Sequence, residues 1–287
     1  MIKAIRHSLT ISAMLLIAPF ANAEQLQVTS YNPAEKAIFP VTSSLITGEK
    51  EAILVDAQFS IIDADALVTM INDSGKKLTT IYISGADPDF YFGLQPIVEA
   101  FPEAKVIASS AVVKHIEQTK ENKLAYWGPI LGSNAPSKVI IPEISDSTEL
   151  TLEGKKIKIH EINTHQAYLW LPSIKTALGG VLVSNGIHLW TADSQSVSAR
   201  QEWLAALDRL IDLNPLKVIP GHYLGDIPAG DKAVKFTKNY LLTYESILTT
   251  KPNSTQLIER LKNTFPNLPV DDGLAISAKV NTGEIKW

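Results

Sequence analysis

Residues 83–94 read ISGADPDFYFGL, and the behaviour of the chain on either side of this stretch sets the fold. Upstream, LTTIYIS is a β-branched and aromatic run of strand length that leads straight into it. Downstream, Leu94, Ile97, Val98 and Phe101 recur at helical spacing, with Pro96 in the first turn and Pro102 as the stop. A strand therefore turns through Asp87 and Asp89 into a helix, the kind of junction at which loops carry function.

The same alternation extends outward. EAILVDAQ is an apolar strand that stops at Asp56, and a helix follows at once. Ser60 and Asp63 have capping-box-like spacing, Ala66, Leu67, Met70 and Ile71 share a face, and Gly75 closes the C-terminus. LQVTSYN and AIFPVTSSLITG precede as β segments, and KVIASS follows as another strand. A helix begins at Ala111 and is expected to become an irregular loop at YWGPILGSNAPSK, with Trp127 packing as core cover.

From Val139 the pattern changes to strands and turns in VIIPEI, STELTLEGKKIKIHEI, AYLWLPSI and TALGGVLVS. SARQEWLAALDRLIDLNP predicts a helix capped by Ser198 with Gln201, turning Trp203, Leu204, Leu207, Leu210 and Ile211 inward, and KVIPGHY predicts the strand after it. Asp231 to Phe265 reads as a mainly helical tail, in which Val234, Leu241, Tyr244 and Leu248 form a packing stripe, and a short polar β-like segment ends the chain. Two mixed sheets face to face with helices outside would bury all these apolar faces. The expected class is α/β, a four-layer αββα sandwich, with the strand ends at Asp56, Ser84 and Gly221 converging on one edge.

Composition narrows the function. Lys3 and Arg6, a short apolar run and Ala21-Asn22-Ala23 have the form of a secretory signal peptide cleaved after Ala23, and the run is too short to span a bilayer. Residues 1–23 are expected to be a leader and 24–287 a single exported, periplasmic domain with a helical C-terminal tail and no membrane attachment after cleavage. The formal charge of −4 loses the two cations Lys3 and Arg6 with the leader and becomes −6, with no basic block to track a phosphate backbone, so nucleic acid is excluded as a partner. Cysteine is absent, which removes disulfides, thiolate nucleophiles and Cys-ligated metals. Neither a nucleophile elbow nor a phosphate-cradling glycine loop is present.

The succession ILVDAQ, YISGADPDFYFGL, LWLPSIKTALGGVLVSNGIHLWTAD and VIPGHY resembles the metallo-β-lactamase superfamily over nearly the whole of 24–287. That resemblance implies the αββα sandwich of the family and a two-metal cleft that generates a hydroxide at neutral pH. The family loop reads His-x-His-x-Asp-His. Laid on this chain, its first His falls at Gly85, its second at Asp87, its Asp at Asp89 and its adjoining His at Phe90. The intermediate His falls at His165, the bridging Asp at Val181 and the last His at His222. The loop is also similar to a branch of the superfamily that reads DPDYYFG, with Gly85 as a further departure.

A catalytic zinc takes three protein ligands and an open position. One half-site would keep Asp87 and His165, the other Asp89 and His222, and neither reaches three. The resemblance therefore implies a cleft without dinuclear zinc, with a single divalent metal as the remaining cofactor option and Asp87, Asp89, His165 and His222 as its candidate ligands. Two functions stay open: binding of a small-molecule ligand, with Asp87, His165, His188 and Trp190 as lining residues, or hydrolysis of a small-molecule substrate by a single metal or by metal-free acid–base chemistry with Asp89 and His222 as catalytic candidates. A third, an interaction module on the helical tail, has only the stripe of Val234, Leu241, Tyr244 and Leu248, which is the face of a packed helix.

Each candidate also has a plain structural role. Asp89 and Asp87 suit a tight turn, although two carboxylates so close together repel and favour a cation or a shared proton. His222 and His188 suit satisfied core histidines, His188 lying beside Trp190 and Asp193. Asp56 is expected to orient its neighbours rather than to react.

Overall fold

Strict alternation along the strands sorts the apolar side chains into three cores, described by a computed structural model for residues 25–269 and 271–287. The expected leader, residues 1–23, lies outside the described residues. In the first sheet, β1 (Gln27–Tyr31), β2 (Ser43–Thr47) and β3 (Glu51–Val55) run antiparallel, and β4 (Lys77–Ile83), β5 (Lys105–Ala108) and β6 (Glu143–Ile144) continue it in parallel, in sequence order. The parallel crossovers carry α1 (Ile61–Ser74), the single turn α2 (Pro88–Tyr91), α3 (Leu94–Ala100) and α4 (Ser110–Leu131).

The second sheet contains β7 (Glu149–Leu152), β8 (Lys155–His160), β9 (Tyr168–Leu171) and β10 (Thr176–Leu178). After β10 come β11 (Ser184–Asn185), α5 (Val197–Asp212), β12 (Lys217–Val218) and β13 (His222–Tyr223). β12 joins this sheet beside β10, giving the order β12-β10-β9-β8-β7, whereas β11 and β13 form a separate parallel pair. Three helices follow, α6 (Lys232–Leu248), α7 (Ser254–Thr264) and α8 (Asp272–Asn281). Among the described residues no helix is long and apolar enough to cross a membrane.

Ile46, Ile53, Val55 and Tyr82 of the first sheet meet Leu152, Ile157, Leu169 and Leu171 of the second in the central core. Their strand neighbours Leu45, Leu54, Ile81 and Ile83 point the other way, into a core shared with Leu67, Ile71, Ile97 and Ile116 of α1, α3 and α4. Tyr168, Trp170 and Ala177 likewise turn to the outside of the second sheet, against Trp203, Leu207, Leu241, Tyr244 and Leu257 of α5, α6 and α7. A period of two in each strand thus yields four layers, helices, sheet, sheet and helices, as expected. Each fully buried Leu or Ile removed from water in this way contributes about 1.5–3 kcal/mol.

Four local expectations need correction. YWGPIL is the last part of α4 rather than a loop. Pro129 costs α4 the bond that its N–H would have made to the Ala125 carbonyl, but only two helical residues follow it, so the helix ends soon after rather than kinking in mid-course. Trp127 does pack as cover, its ring 5.3 Å from both Phe39 and Phe59. Helix α5 is capped by Ser196, not Ser198: the extended backbone of Ser196 lets its side chain accept from the Ala199 N–H, while Ser198 is already helical. KVIPGHY is not one strand, because Pro220 and Gly221 break it into β12 and β13, which pair with different partners. The polar end of the chain is α8, capped by Asp271 on the Leu274 N–H, rather than a β segment.

Candidate functional site

Strand ends from both sheets meet where the sequence places Asp56, Ser84 and Gly221. Asp56 follows β3 with a left-handed φ of 64° and is fully buried. Its carboxylate accepts from the Ser84 N–H at 2.8 Å and the Ser84 hydroxyl at 2.7 Å, and the Ser84 Oγ accepts from the Gly180 N–H at 2.8 Å. Burial raises the Asp56 pKa to about 7 against the lowering pull of Ser84. Close backbone crossings complete the junction. A Cβ at Gly221 would lie 1.7 Å from the Gly180 carbonyl oxygen, and one at Gly180 would lie 2.0 Å from that of Ala167, so neither position admits a side chain.

Two separate groups of polar side chains rise from this junction. In the inner one, the Asp89 Oδ2 lies 2.7 Å from the His222 Nε2. Asp89 comes from α2 and His222 from β13, which Val41 and β11 hold in place by backbone pairing. Both side chains are largely buried, so this hydrogen bond lies in a low-dielectric setting that strengthens it. Asp89 is therefore more than a turn former. The Phe90 ring stands edge-on to His222, with centroids 5.6 Å apart at 85°, and is fully buried. A Cβ at Gly85 would lie 2.8 Å from the Phe90 Cδ2. Phe90 thus fills the space that a side chain at 85 would need.

The outer group stands on the rim. Asp87 precedes α2 without using its carboxylate as a cap, and one ligand atom each from Asp87, His165 and Asp193 fall within 4.8 Å of one another. Lys123 of α4 reaches in, its Nζ 3.6 Å from the Asp87 Oδ1 and 2.9 Å from the Ala86 carbonyl oxygen to which it donates. The His165 Nε2 is 3.9 Å from the Asp87 Oδ2. Asp193 is held by two indoles: Trp190 Nε1 donates to its Oδ2 and Trp287 Nε1 donates to its Oδ1 at 2.8 Å. The two indole rings pack with centroids 5.2 Å apart.

The six sequence candidates therefore divide. Asp89 and His222 form the inner pair, and Asp87 and His165 lie together on the rim with Trp190 beside them through Asp193. His188 joins neither group. It is buried against α6, with Nδ1 2.9 Å from the Tyr240 hydroxyl, and burial pushes its pKa down. The two aspartates two residues apart face different partners, Asp87 towards Lys123 and His165 and Asp89 towards His222. Asp56 orients Ser84, as expected. Sequence reasoning passed over Lys123 and Trp287, which lie in the middle of a long helix and at the last residue, and it grouped Asp193 with His188 and Trp190 as pocket lining or an aromatic cluster. Of these only Asp193 had a local signal, a carboxylate closing an aromatic run.

A family profile described as Metallo-beta-lactamase superfamily matches residues 38–222. No curated protein matches the sequence. Among solved structures, a metallo-beta-lactamase family protein from Thermus thermophilus superposes with a TM-score of 0.60 at 18% identity, covering 90% of this chain and 91% of that one. The BLEG-1 B3 metallo-beta-lactamase gives 0.56 at 14% identity over 75% of this chain and 99% of its own. A metallo-beta-lactamase from Pontibacter korlensis gives 0.52 at 15% identity, over 76% and 95% respectively. At these identities the likeness is one of fold.

Proposed function

The chain belongs to the metallo-beta-lactamase superfamily, and from that membership we propose that it is an exported relative that keeps the cleft of the fold, lacks a dinuclear zinc centre and binds a small molecule there. The observation that carries this reading is the packing of Phe90. Its ring occupies the volume facing Gly85 and abuts His222, so beside the Asp89–His222 pair an aromatic ring stands where a second cation would need donors. Gly85, Phe90 and Val181 offer no side-chain ligand, and Asp89 with His222 supplies only two. Two neighbouring cations repel each other strongly, and no bridging carboxylate stands at Val181 to hold them. The residues present do not fit a two-metal group, so no hydrolytic step is drawn through one. Export rests on the form of residues 1–23.

Elemental analysis of the purified protein after dialysis against zinc tests the reading: fewer than two ions per chain are expected. Two tightly held zinc ions per chain would sink it.

The 2.7 Å contact between Asp89 and His222 favours a second reading, metal-free acid–base hydrolysis. In that case Asp89 orients the imidazole, and His222 moves the proton of an attacking water. A panel of ester, amide and phosphoester substrates decides between the two. Turnover abolished in an Asp89→Ala, His222→Ala double variant supports the acid–base pair, and turnover that survives in it removes this reading.

A further inference from the structure

We propose that α8 latches the segment between β11 and α5 in place on the rim of the cleft, and that protonation of His188 releases the latch. The segment carries Trp190 and Asp193, so its position sets the shape of the rim. The inference does not depend on what the cleft binds or on whether a metal is held there.

Residues 186–196 belong to no strand or helix, and their hold comes from elsewhere. The Ser277 Oγ accepts from the Thr191 N–H at 3.0 Å, and the Asn281 Nδ2 donates to the Thr191 carbonyl oxygen at 3.0 Å. Ser277 and Asn281 stand one turn apart on the same face of α8. Thr191 and Ser277 are fully buried, so a broken bond here leaves groups that water does not reach. Arg200 of α5 ties the two sides together, since its Nη1 donates to the Ser194 carbonyl oxygen at 2.7 Å and to the Asn281 Oδ1 at 2.6 Å. Trp287 adds a bond from its Nε1 to the Asp193 Oδ1 at 2.8 Å. Helix α8 falls outside the matched residues 38–222, so this hold is additional to the matched part of the fold.

His188 lies in this segment and is the weak point of the arrangement. It is buried, its Nδ1 is 2.9 Å from the Tyr240 hydroxyl of α6, and its Nε2 has no partner among the described residues. The charged groups that face it are Asp271, at the start of α8, and Lys262 of α7. An imidazolium brings two N–H donors and a charge to a place where only Nδ1 has a partner. Burial is the main influence against that charge, Asp271 favours it and Lys262 opposes it, and the balance pushes the pKa below the ordinary 6.5. Released, the ring regains water and an ordinary pKa. The latched state is therefore fully favoured above pH 6.5 and loses ground as the pH falls below it.

Hydrogen exchange of the full chain read by mass spectrometry at about pH 7.5 and about pH 5, each corrected for the intrinsic exchange rate, tests the proposal. Peptides covering 188–195 and 272–281 are expected to exchange roughly fivefold faster or more at the lower pH, while those of β3 and β4 stay protected. His188→Gln can still bond the Tyr240 hydroxyl and cannot charge, so it should stay latched at the lower pH. Asn281→Ala should expose 188–195 already at the higher pH. Protection of 188–195 that is the same at both pH values in the native protein overturns the proposal without any variant. So does loss of protection at the lower pH that spreads evenly to β3 and β4, which is global unfolding. A response that persists in His188→Gln removes His188 as the trigger, and native-like protection of 188–195 in Asn281→Ala removes α8 as the hold; either overturns the proposal. None of these outcomes bears on the zinc content, so the proposed absence of a dinuclear centre stands or falls separately.

Discussion

At the scale of single residues, Gly85 and Phe90 form one unit. The ring that crowds Gly85 is fully buried and cannot swing away, so Gly85→Ala is expected to cost about 1–3 kcal/mol by overpacking. In a Phe90→Ala background the same change should cost much less. A double-mutant cycle by urea denaturation measures the coupling, and additive values would show that the contact is relaxed elsewhere. It follows that a histidine restored at 85 alone has no room, and that recovering metal donors here requires replacing both residues. Asp56 gives a second prediction. Its pKa is raised by burial from an ordinary 3.8 to about 7, so the folded state holds a proton that the unfolded state has released. Its contribution to stability is full below pH 3.8, falls as the pH rises from about 4 to 7, and is flat above. Asp56→Asn keeps an acceptor for the Ser84 N–H and cannot titrate. Melting temperatures across pH 4–7 should therefore slope downward less in the variant than in the native protein.

At the scale of elements, the errors of sequence reading cluster at boundaries. The stripe of Trp203, Leu207 and Leu210 fixed the existence of α5 because three buried positions repeat at helical spacing. Its start was misread because Ser196 and Ser198 are both serines with a capping geometry available, and only the backbone decides which is extended. The difference is measurable: Ser196→Ala should cost about 1 kcal/mol, and Ser198→Ala, inside the helix, less than about 0.5 kcal/mol. Equal effects in thermal denaturation would show that the two share the cap through their 3.0 Å hydroxyl contact. Pro129 misled in the opposite direction, since a proline two residues from the end of a long helix removes one backbone bond without ending the helix, and Trp127 beside it packs on Phe39 and Phe59. Helix α8 was hidden because Asp272–Asn281 is short and carries Gly273 and the β-branched Ile276 and Val280, and its buried Leu274, Ser277 and Ala278 span little more than one turn.

At the scale of the whole molecule, the layered fold was legible because alternation in strands such as Ile53-Leu54-Val55 must send neighbours to opposite sides of a sheet. The inner pair of Asp89 and His222 was legible through the family resemblance, which lays both on metal-ligand positions, and the structure brings them to 2.7 Å. The rim group was legible only in part, because its partners Lys123, Asp193 and Trp287 are brought together by tertiary packing that leaves no spacing in the sequence. What joins the two sheets at the site is a chain of bonds through Ser84. It donates to Asp56 at the end of β3 and accepts from Gly180 beyond β10, so one hydroxyl links the first sheet to the second. Ser84→Ala would leave a buried carboxylate oxygen and a buried N–H without that partner, and hydrogen bonds to charged groups are worth about 1.5–3 kcal/mol each. The expected loss is about 2–4 kcal/mol in urea unfolding with an unchanged slope. Removing the hydroxyl also removes a bond that lowers the Asp56 pKa, so the window over which stability falls with pH should extend upward from about 7. A loss below about 1 kcal/mol would mean that the apolar layer between the sheets holds the cleft by itself, and that the bond network is carried by the packing rather than fixing it.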